Sequence, residues 1–388
     1  MKEMPGEVLY LTHSAYLAQS ARELYGAHGY RRDDQECTFL SYREFLESIQ
    51  VPDGREAGWR DFAAWFARLR QQFRGIDAHQ AFEEIRGVIA AAAHGVLTRA
   101  QYLDLGQRQS IFAQGERGAL YDLFEKYRAW LRENRLFDLN RAAHERLALV
   151  AAHYDFIVID EVQDLTMVQL AVALRALKKP GQFLMCGDSN QIVHPNFFSW
   201  SQVKTLFWRD AALADSQQLQ VLRANFRNGT EVTRVANTLL KIKHGRFGSI
   251  DRESNFLVEA VGGDAGAVTL LADGDKAWRD LNAQTRRSTR FAVLVLRDED
   301  KAEARKHFDT PLVFSVHEAK GFSTAGRNLF VLVQPYALWA SWSRSAWLPK
   351  RLASRPVRYA AGRQAVDSSM NHRKRELKLL SDGIVEGR

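Results

Sequence analysis

The sequence predicts an α/β protein of two domains, the first interrupted by a helical insertion. Three observations carry this: short apolar runs alternate with helical patterns over 1–52, only helical patterns fill 53–145, and the alternation returns from 154 onward. Strands alternating with helices argue for parallel sheets. The boundaries read as 1–52 with 146–210 for the first domain, 53–145 for the insertion and 211–388 for the second domain.

In order along the chain, "EVLYLTHS" is a strand, "AYLAQSARELYGAHG" a helix closing near Gly26 or Gly29, and "CTFLSYREFLESI" a strand running into a helix. The insertion is rich in Ala and aromatic residues ("WRDFAAWFARLRQQF", "AFEEIRGVIAAAAHGVL", "LYDLFEKYRAWLREN"), with no clear strand. The aromatics of 59–73 read as its own packing. "FIVID" is then a strand covered on both faces, because its Ile and Val run is continuous rather than alternating. "TMVQLAVALRAL", the turn "KKPG" and the strand "QFLMCGD" follow it. Beyond a linker near 209–218, "LQVLRANFRNGTEVTRVANTLL", "RFAVLVLRDEDKAEARKHF" and "PLVFSVHEAKGF" add further strands and helices. There is no internal repeat.

Bulk composition narrows the class. With 388 residues, 46% hydrophobic and 26% charged, the chain builds real cores. Cys37 and Cys186 form neither metal-ligand spacing nor a disulfide framework, which fits a reducing cytoplasm. The start "MKEMPGEVLYL" lacks the basic and apolar regions of a signal peptide, and no apolar run reaches membrane-spanning length, so no membrane partner is expected. Net charge is +8, yet residues 341–388 hold eleven Lys or Arg against four Asp or Glu, so +7 of it lies in the tail. The basic total therefore describes one segment.

The chemistry gathers at strand ends. "YDFIVIDEVQDLTMVQ" breaks from an apolar strand into Asp160 and Glu161, the position where open α/β sheets place their ligands. Such a pair suits a metal ion and activation of water; alone it equally describes a solvated helix N-terminus, where carboxylates favour the dipole. Three more blocks follow in order: "MCGDSNQIVHPNFFSW", "LRANFRNGTEVTRVAN" and "FSVHEAKG".

Together these blocks resemble the UvrD/Rep/PcrA-type superfamily 1A helicases, ATP-driven motors on single-stranded DNA. "EVLYLTHSAYLAQSARELY" and "TFLSYREFL" resemble that family's motifs Ia and Ib, and the likeness covers residues 1 to about 335. The resemblance implies two RecA-like parallel-sheet domains of the P-loop NTPase type. It implies ATP and Mg²⁺ as cofactors, and single-stranded DNA or DNA with a single-stranded tail as partner. Asp160 would bind Mg²⁺, Glu161 would be the base for hydrolytic water, and Gln163 and Gln191 would sense the γ-phosphate. Asp188 would lie beside the nucleotide, Arg227 would be the arginine finger and Phe226 would stack on adenine. His317, Lys320 and Gly321 would form motif V, between nucleotide and DNA. Thr12, His13, Phe39, Ser41, His194, Phe197, Phe198 and Trp200 would fall on the DNA-facing side. Phe197, Phe198 and Trp200 read either as core or as base-stacking rings.

The chain departs from the family in three places. No G-x-x-x-x-G-K-[ST] occurs in it, so the phosphate-cradling loop is missing. The expected reason is truncation just before motif Ia, which would remove a central strand of the first sheet and leave its neighbours unpaired. Motif V carries Ser323 where the family has an acid, and no motif VI is evident; the basic tail beyond 340, with Trp339, Trp342 and Trp347, reads as degenerate. Fewer than eighty residues separate "RVAN" from "FSVHEAKG", too few for a large second insertion. The expectation is a helicase-like chain unable to hydrolyse ATP by itself. The alternative is a non-catalytic module holding single-stranded DNA or protein, and a third reading has a second polypeptide supplying the phosphate loop.

Overall fold

The computed structural model describes residues 1, 3–30, 32–107, 109–192, 198–206, 220–248, 256–261, 266–269, 271, 274–288, 291–319 and 328–332. The chain divides into two compact units, 1–221 with 249–255, and 222–248 with 256–388.

In the first unit, β1 (Gly6–Thr12), β2 (Gln35–Ser41), β5 (Phe156–Ile159) and β6 (Phe183–Met185) form one parallel sheet in the order β2-β1-β5-β6. Helices α1 (Ala15–Ala27), α2 (Tyr42–Ile49), α7 (Leu139–Arg146) and α8 (Met167–Arg175) flank it. The β1–β5 ladder pairs Val8 with Phe156 and Leu11 with Ile159. That direct pairing corrects the expectation of a gap in mid-sheet: β1 has neighbours on both sides, and the edges are β2 and β6. Ile157, Val158 and Ile159 are all buried, as the continuous apolar run requires of a strand covered on both faces. Leu9, Leu11, Ile157 and Ile159 share a core with Tyr42, Phe45 and Leu46 of α2 and with Val168 and Val172 of α8.

The insertion holds α3 (Trp59–Ala67), α4 (Ala78–Glu84), a π turn (Ile85–Ile89), α5 (Arg99–Leu103) and α6 (Arg117–Glu133). Its core is separate and aromatic: Phe62, Phe66, Phe82, Tyr102, Phe124 and Tyr127 are buried, and Trp65 stacks on Trp130 at 5.2 Å. The aromatics of this stretch are thus packing, as expected. One correction applies, since a two-residue parallel ladder, β3 (Arg55–Glu56) with β4 (Leu136–Phe137), closes the neck of the insertion. Two residues carry no periodicity for a pattern to reveal. Gly54, at φ 90°, permits the closure, because a Cβ there would sit 1.9 Å from the Arg135 carbonyl oxygen.

In the second unit, β9 (Phe291–Val295) lies between β10 (Val313–Ser315) and β11 (Asn328–Leu332), all parallel. Its core comprises Val293, Val295, Ala304, Phe308 and Val313. A short parallel pair, β7 (Ala224–Asn225) with β8 (Glu259–Ala260), accompanies the helix Thr230–Phe247. Among the described residues no helix is long and apolar enough to cross a membrane.

Candidate functional site

The chain turns sharply where β5 ends. The Asp160 N–H donates to the Leu11 carbonyl at 2.9 Å, continuing the β1 ladder one residue past the strand. Glu161 then adopts a left-handed backbone, φ 52°, which a non-glycine residue holds only where its surroundings impose it. A single 3₁₀ turn (Val162–Asp164) follows, wholly buried, and Thr166 caps α8. The reversal keeps both carboxylates at the carboxyl end of the sheet and sends the chain back into the core.

Hydrogen bonds hold these acids in place. Asp160 Oδ1 accepts the Glu161 N–H at 3.0 Å and Oδ2 accepts the Tyr10 hydroxyl at 2.5 Å. Burial first, and Asp160 second, push the Tyr10 phenol far above its ordinary range, so it stays a donor. Burial, with Asp160 adding to it, also raises the neighbouring Cys186 thiol. Gln163 is fully buried: its Nε2 donates to Glu161 Oε2 while its Oε1 accepts the Asp188 N–H at 3.1 Å. Its amide therefore ties the Glu161 carboxylate to the β6 end. Gly187 makes this possible, because a Cβ there would lie 2.2 Å from Gln163 Oε1 and 2.8 Å from Val162 Cγ1. Gln191 joins the group by donating from Nε2 to Asp188 Oδ2 at 2.9 Å. The structure thus brings Asp160, Glu161, Gln163, Asp188 and Gln191 into one network.

The donor set suits Mg²⁺. Asp160 and Glu161 offer hard carboxylate oxygens, and Mg²⁺ in nucleotide sites takes one or two carboxylates, with phosphates and water completing its shell. Among the described residues no cluster of three or more His, Cys, Asp or Glu forms a self-sufficient metal cage.

Residues assigned to the DNA-facing side fall differently. Phe39, 5% exposed, packs against Tyr10 and Tyr25 with centroids 5.6 and 5.5 Å away. Phe198, 3% exposed, meets the partly buried Trp200 edge-on at 5.2 Å. Both are core rings in this conformation: stacking on a base needs an open ring face, so Phe39 does not fit the DNA-facing role expected of it, and Phe198 takes the core reading of the two that the sequence left open. Thr12 and Ser41 pair across the β1–β2 ladder and are buried. Ser41 caps α2 in a reciprocal box with Glu44, and the Thr12 hydroxyl has no hydrogen-bond partner among the described residues. His13 is half-buried at the end of β1. His194 and Phe197 lie outside the described residues.

In the second unit Phe226 is 77% exposed, and Arg227 follows it in a turn closed by Asn225 Oδ1, which accepts the Arg227 and Asn228 N–H groups at 2.9 and 3.1 Å. His317 sits in the short helix Val316–Ala319, where Glu318 accepts the Ser315 N–H at 3.0 Å and pairs with Lys301. The His317 side chain, Lys320, Gly321 and the basic tail lie outside the described residues.

The family profile of the UvrD/REP helicase N-terminal domain matches residues 31–202, which hold β2, the insertion, both carboxylates and the Asp188–Gln191 turn. This region is a UvrD-like, superfamily 1A helicase-related one. The chain is also 20% identical over 255 residues to the human (Homo sapiens) TPR and ankyrin repeat-containing protein 1, covering 59% of the chain and 8% of that protein. The chain thus spans a small part of that relative's length. The helicase family implies nucleic-acid binding in general. Sequence reasoning missed one member of this hydrogen-bond network, Tyr10. The available signal was a polar-tipped ring within a core strand, which needs a hydrogen-bond partner.

Proposed function

We propose that the chain is the carboxylate half of an ATP-dependent, UvrD-like DNA motor. The observation that carries the reading is the Asp160–Glu161 pair at the end of a central parallel strand inside the UvrD-like region, held by Tyr10, Gln163 and the Gly187 contact. Bound Mg²⁺-ATP supplies the phosphoryl group and the charge that polarises it. Asp160 would hold the metal, its carboxylate aimed by Tyr10 and the Glu161 N–H. Glu161 takes the proton of the attacking water, and Gln163 fixes the orientation of that base. Gln191 and Asp188 would hold the nucleotide beside these carboxylates; for Phe226 and Arg227, in the second unit, the resemblance implies adenine stacking and positive charge at phosphoryl transfer. Single-stranded DNA would be the track, and His13 would contact it; the resemblance implies the same role for His194 and Phe197 and a motif V role for His317, Lys320 and Gly321.

The 388 residues contain no phosphate-loop motif. We infer that these residues by themselves hydrolyse ATP negligibly. The test is binding of a fluorescent ATP analogue with Mg²⁺ to the purified chain, with and without single-stranded DNA, beside Glu161→Gln. Weak nucleotide binding with retained, salt-sensitive DNA binding is expected, since phosphate contacts release counterions. Appreciable Glu161-dependent hydrolysis overturns the inference about the missing loop; absence of binding to both nucleotide and DNA overturns the motor reading.

A further inference from the structure

Asn140, in the first turn of α7, is 3% exposed and joins three elements. Its Nδ2 donates to the Arg86 carbonyl, within the π turn of the insertion, at 2.7 Å. Its Oδ1 accepts from Thr166 Oγ1 at 2.7 Å and from Gln169 Nε2 at 2.9 Å. Gln169 Oε1 in turn accepts the Thr166 N–H at 3.1 Å, completing the cap of α8. Two further bonds run between the same elements: His144 Nε2 lies 3.0 Å from the Ala90 carbonyl, and the Val168 N–H donates to the Ala91 carbonyl at 3.0 Å. Three carbonyls at or just beyond the π turn are thus tied to α7 and α8.

The π turn is the reason those carbonyls face outward. Its wide i→i+5 bonding, seen between the Ala90 N–H and the Ile85 carbonyl at 3.0 Å, takes one residue out of the α-helical ladder. Thr166, on the far side of Asn140, ends the buried run that begins after Glu161. Val162, Gln163, Asp164 and Leu165 lie between them with no exposed residue to absorb a displacement. A shift of the π turn therefore reaches the Glu161 loop through Asn140, which bonds to both Thr166 and Gln169, beside the backbone bond from Val168 to Ala91.

We propose that Asn140 is a positioning residue through which the helical insertion sets the placement of the Glu161 loop. The inference rests on the hydrolytic reading of that loop only for its consequence; the coupling itself is tested without nucleotide. The experiment is amide hydrogen exchange on the full chain and on Asn140→Leu, which keeps the branching at Cγ and removes all three bonds. Exchange is expected to rise about tenfold in both 85–91 and 161–169, as loss of a buried hydrogen-bond hub allows, with β1 and β2 unchanged. A uniform rise across the first unit, a rise in one segment only, or no rise overturns the proposal. Should Asn140→Leu fail to fold, Thr166→Val, which removes one bond to the same hub, is read in the same two segments by the same criteria. Failure of the wild-type chain to bind both nucleotide and DNA overturns the motor reading and leaves the exchange result standing.

Discussion

Glu161 and Gly187 show how closely the site is built at the scale of single residues. A left-handed backbone costs an L-residue roughly 1–2 kcal/mol, so the chain stores that strain at the residue assigned as base. The strain has a structural return: the reversal lets Gln163 reach back to the Glu161 carboxylate and forward to the Asp188 N–H. Gly187 is the partner of that reversal. Gly187→Ala places a methyl group against the Gln163 amide and Val162, two buried groups with no room to yield, and is expected to cost about 1–3 kcal/mol as an overpacked core does. Urea denaturation of the variant beside the parent chain measures it; an unchanged midpoint means that Gln163 moves aside freely and does not orient Glu161.

At the scale of elements, the insertion's neck is the place where local electrostatics carry stability. Arg55 of β3 donates from both terminal nitrogens to Asp61 of α3 at 2.8 Å, and the Gly58 N–H donates to the same carboxylate at 2.9 Å. The Arg55 bonds first, and the Gly58 bond second, hold the Asp61 carboxyl down at about 2. Its folded value lies below its unfolded one, so its contribution is fully present above about pH 4 and is lost as pH falls toward 2. Asp61→Asn is expected to flatten the acid limb of stability in that window and to leave the neutral range without pH dependence from this group. Thermal melts of both chains from pH 5 to pH 2 measure the difference, and parallel curves overturn the assignment. Glu84 of α4 works in the opposite sense: burial raises its carboxyl, and Tyr102, Ser110 and the Ile111 N–H satisfy it. Its share of stability is present at low pH and declines as pH rises through its raised value.

At the scale of the whole molecule, three hydrophobic cores are distinct among the described residues: one under the first sheet, one within the insertion and one in the second unit. Separate cores in two compact units are expected to unfold in more than one step, because cooperativity requires shared burial. Calorimetry of the full chain is expected to resolve at least two transitions, with a calorimetric enthalpy above the van't Hoff value. One transition with equal enthalpies means that the units fold as one body. The first sheet's β6 edge bears on the same question, since Leu184 there is 50% exposed and lacks the cover that Ile157 and Ile159 have.

The sequence by itself determined the strand at 156–159, the acids at its end, the aromatic insertion and the parallel pairing class. Each of these rests on hydrophobic pattern, which is local and periodic and therefore legible in one chain. Tertiary structure alone decided what the acids touch. Tyr10 and Asp160 stand 150 residues apart, and only the β1–β5 register brings hydroxyl to carboxylate. Asn140 joins Arg86 to Thr166 across 54 and 26 residues, and no spacing announces a side chain whose partners are a backbone carbonyl and a cap. Phe39 and Phe198 were legible as aromatic but not as inward or outward, because a ring on an edge strand or in a loop before a helix serves either role until its neighbours are in place. Apolar burial is written in composition and period, whereas hydrogen-bond partnership depends on distances that exist only once the sheet has closed.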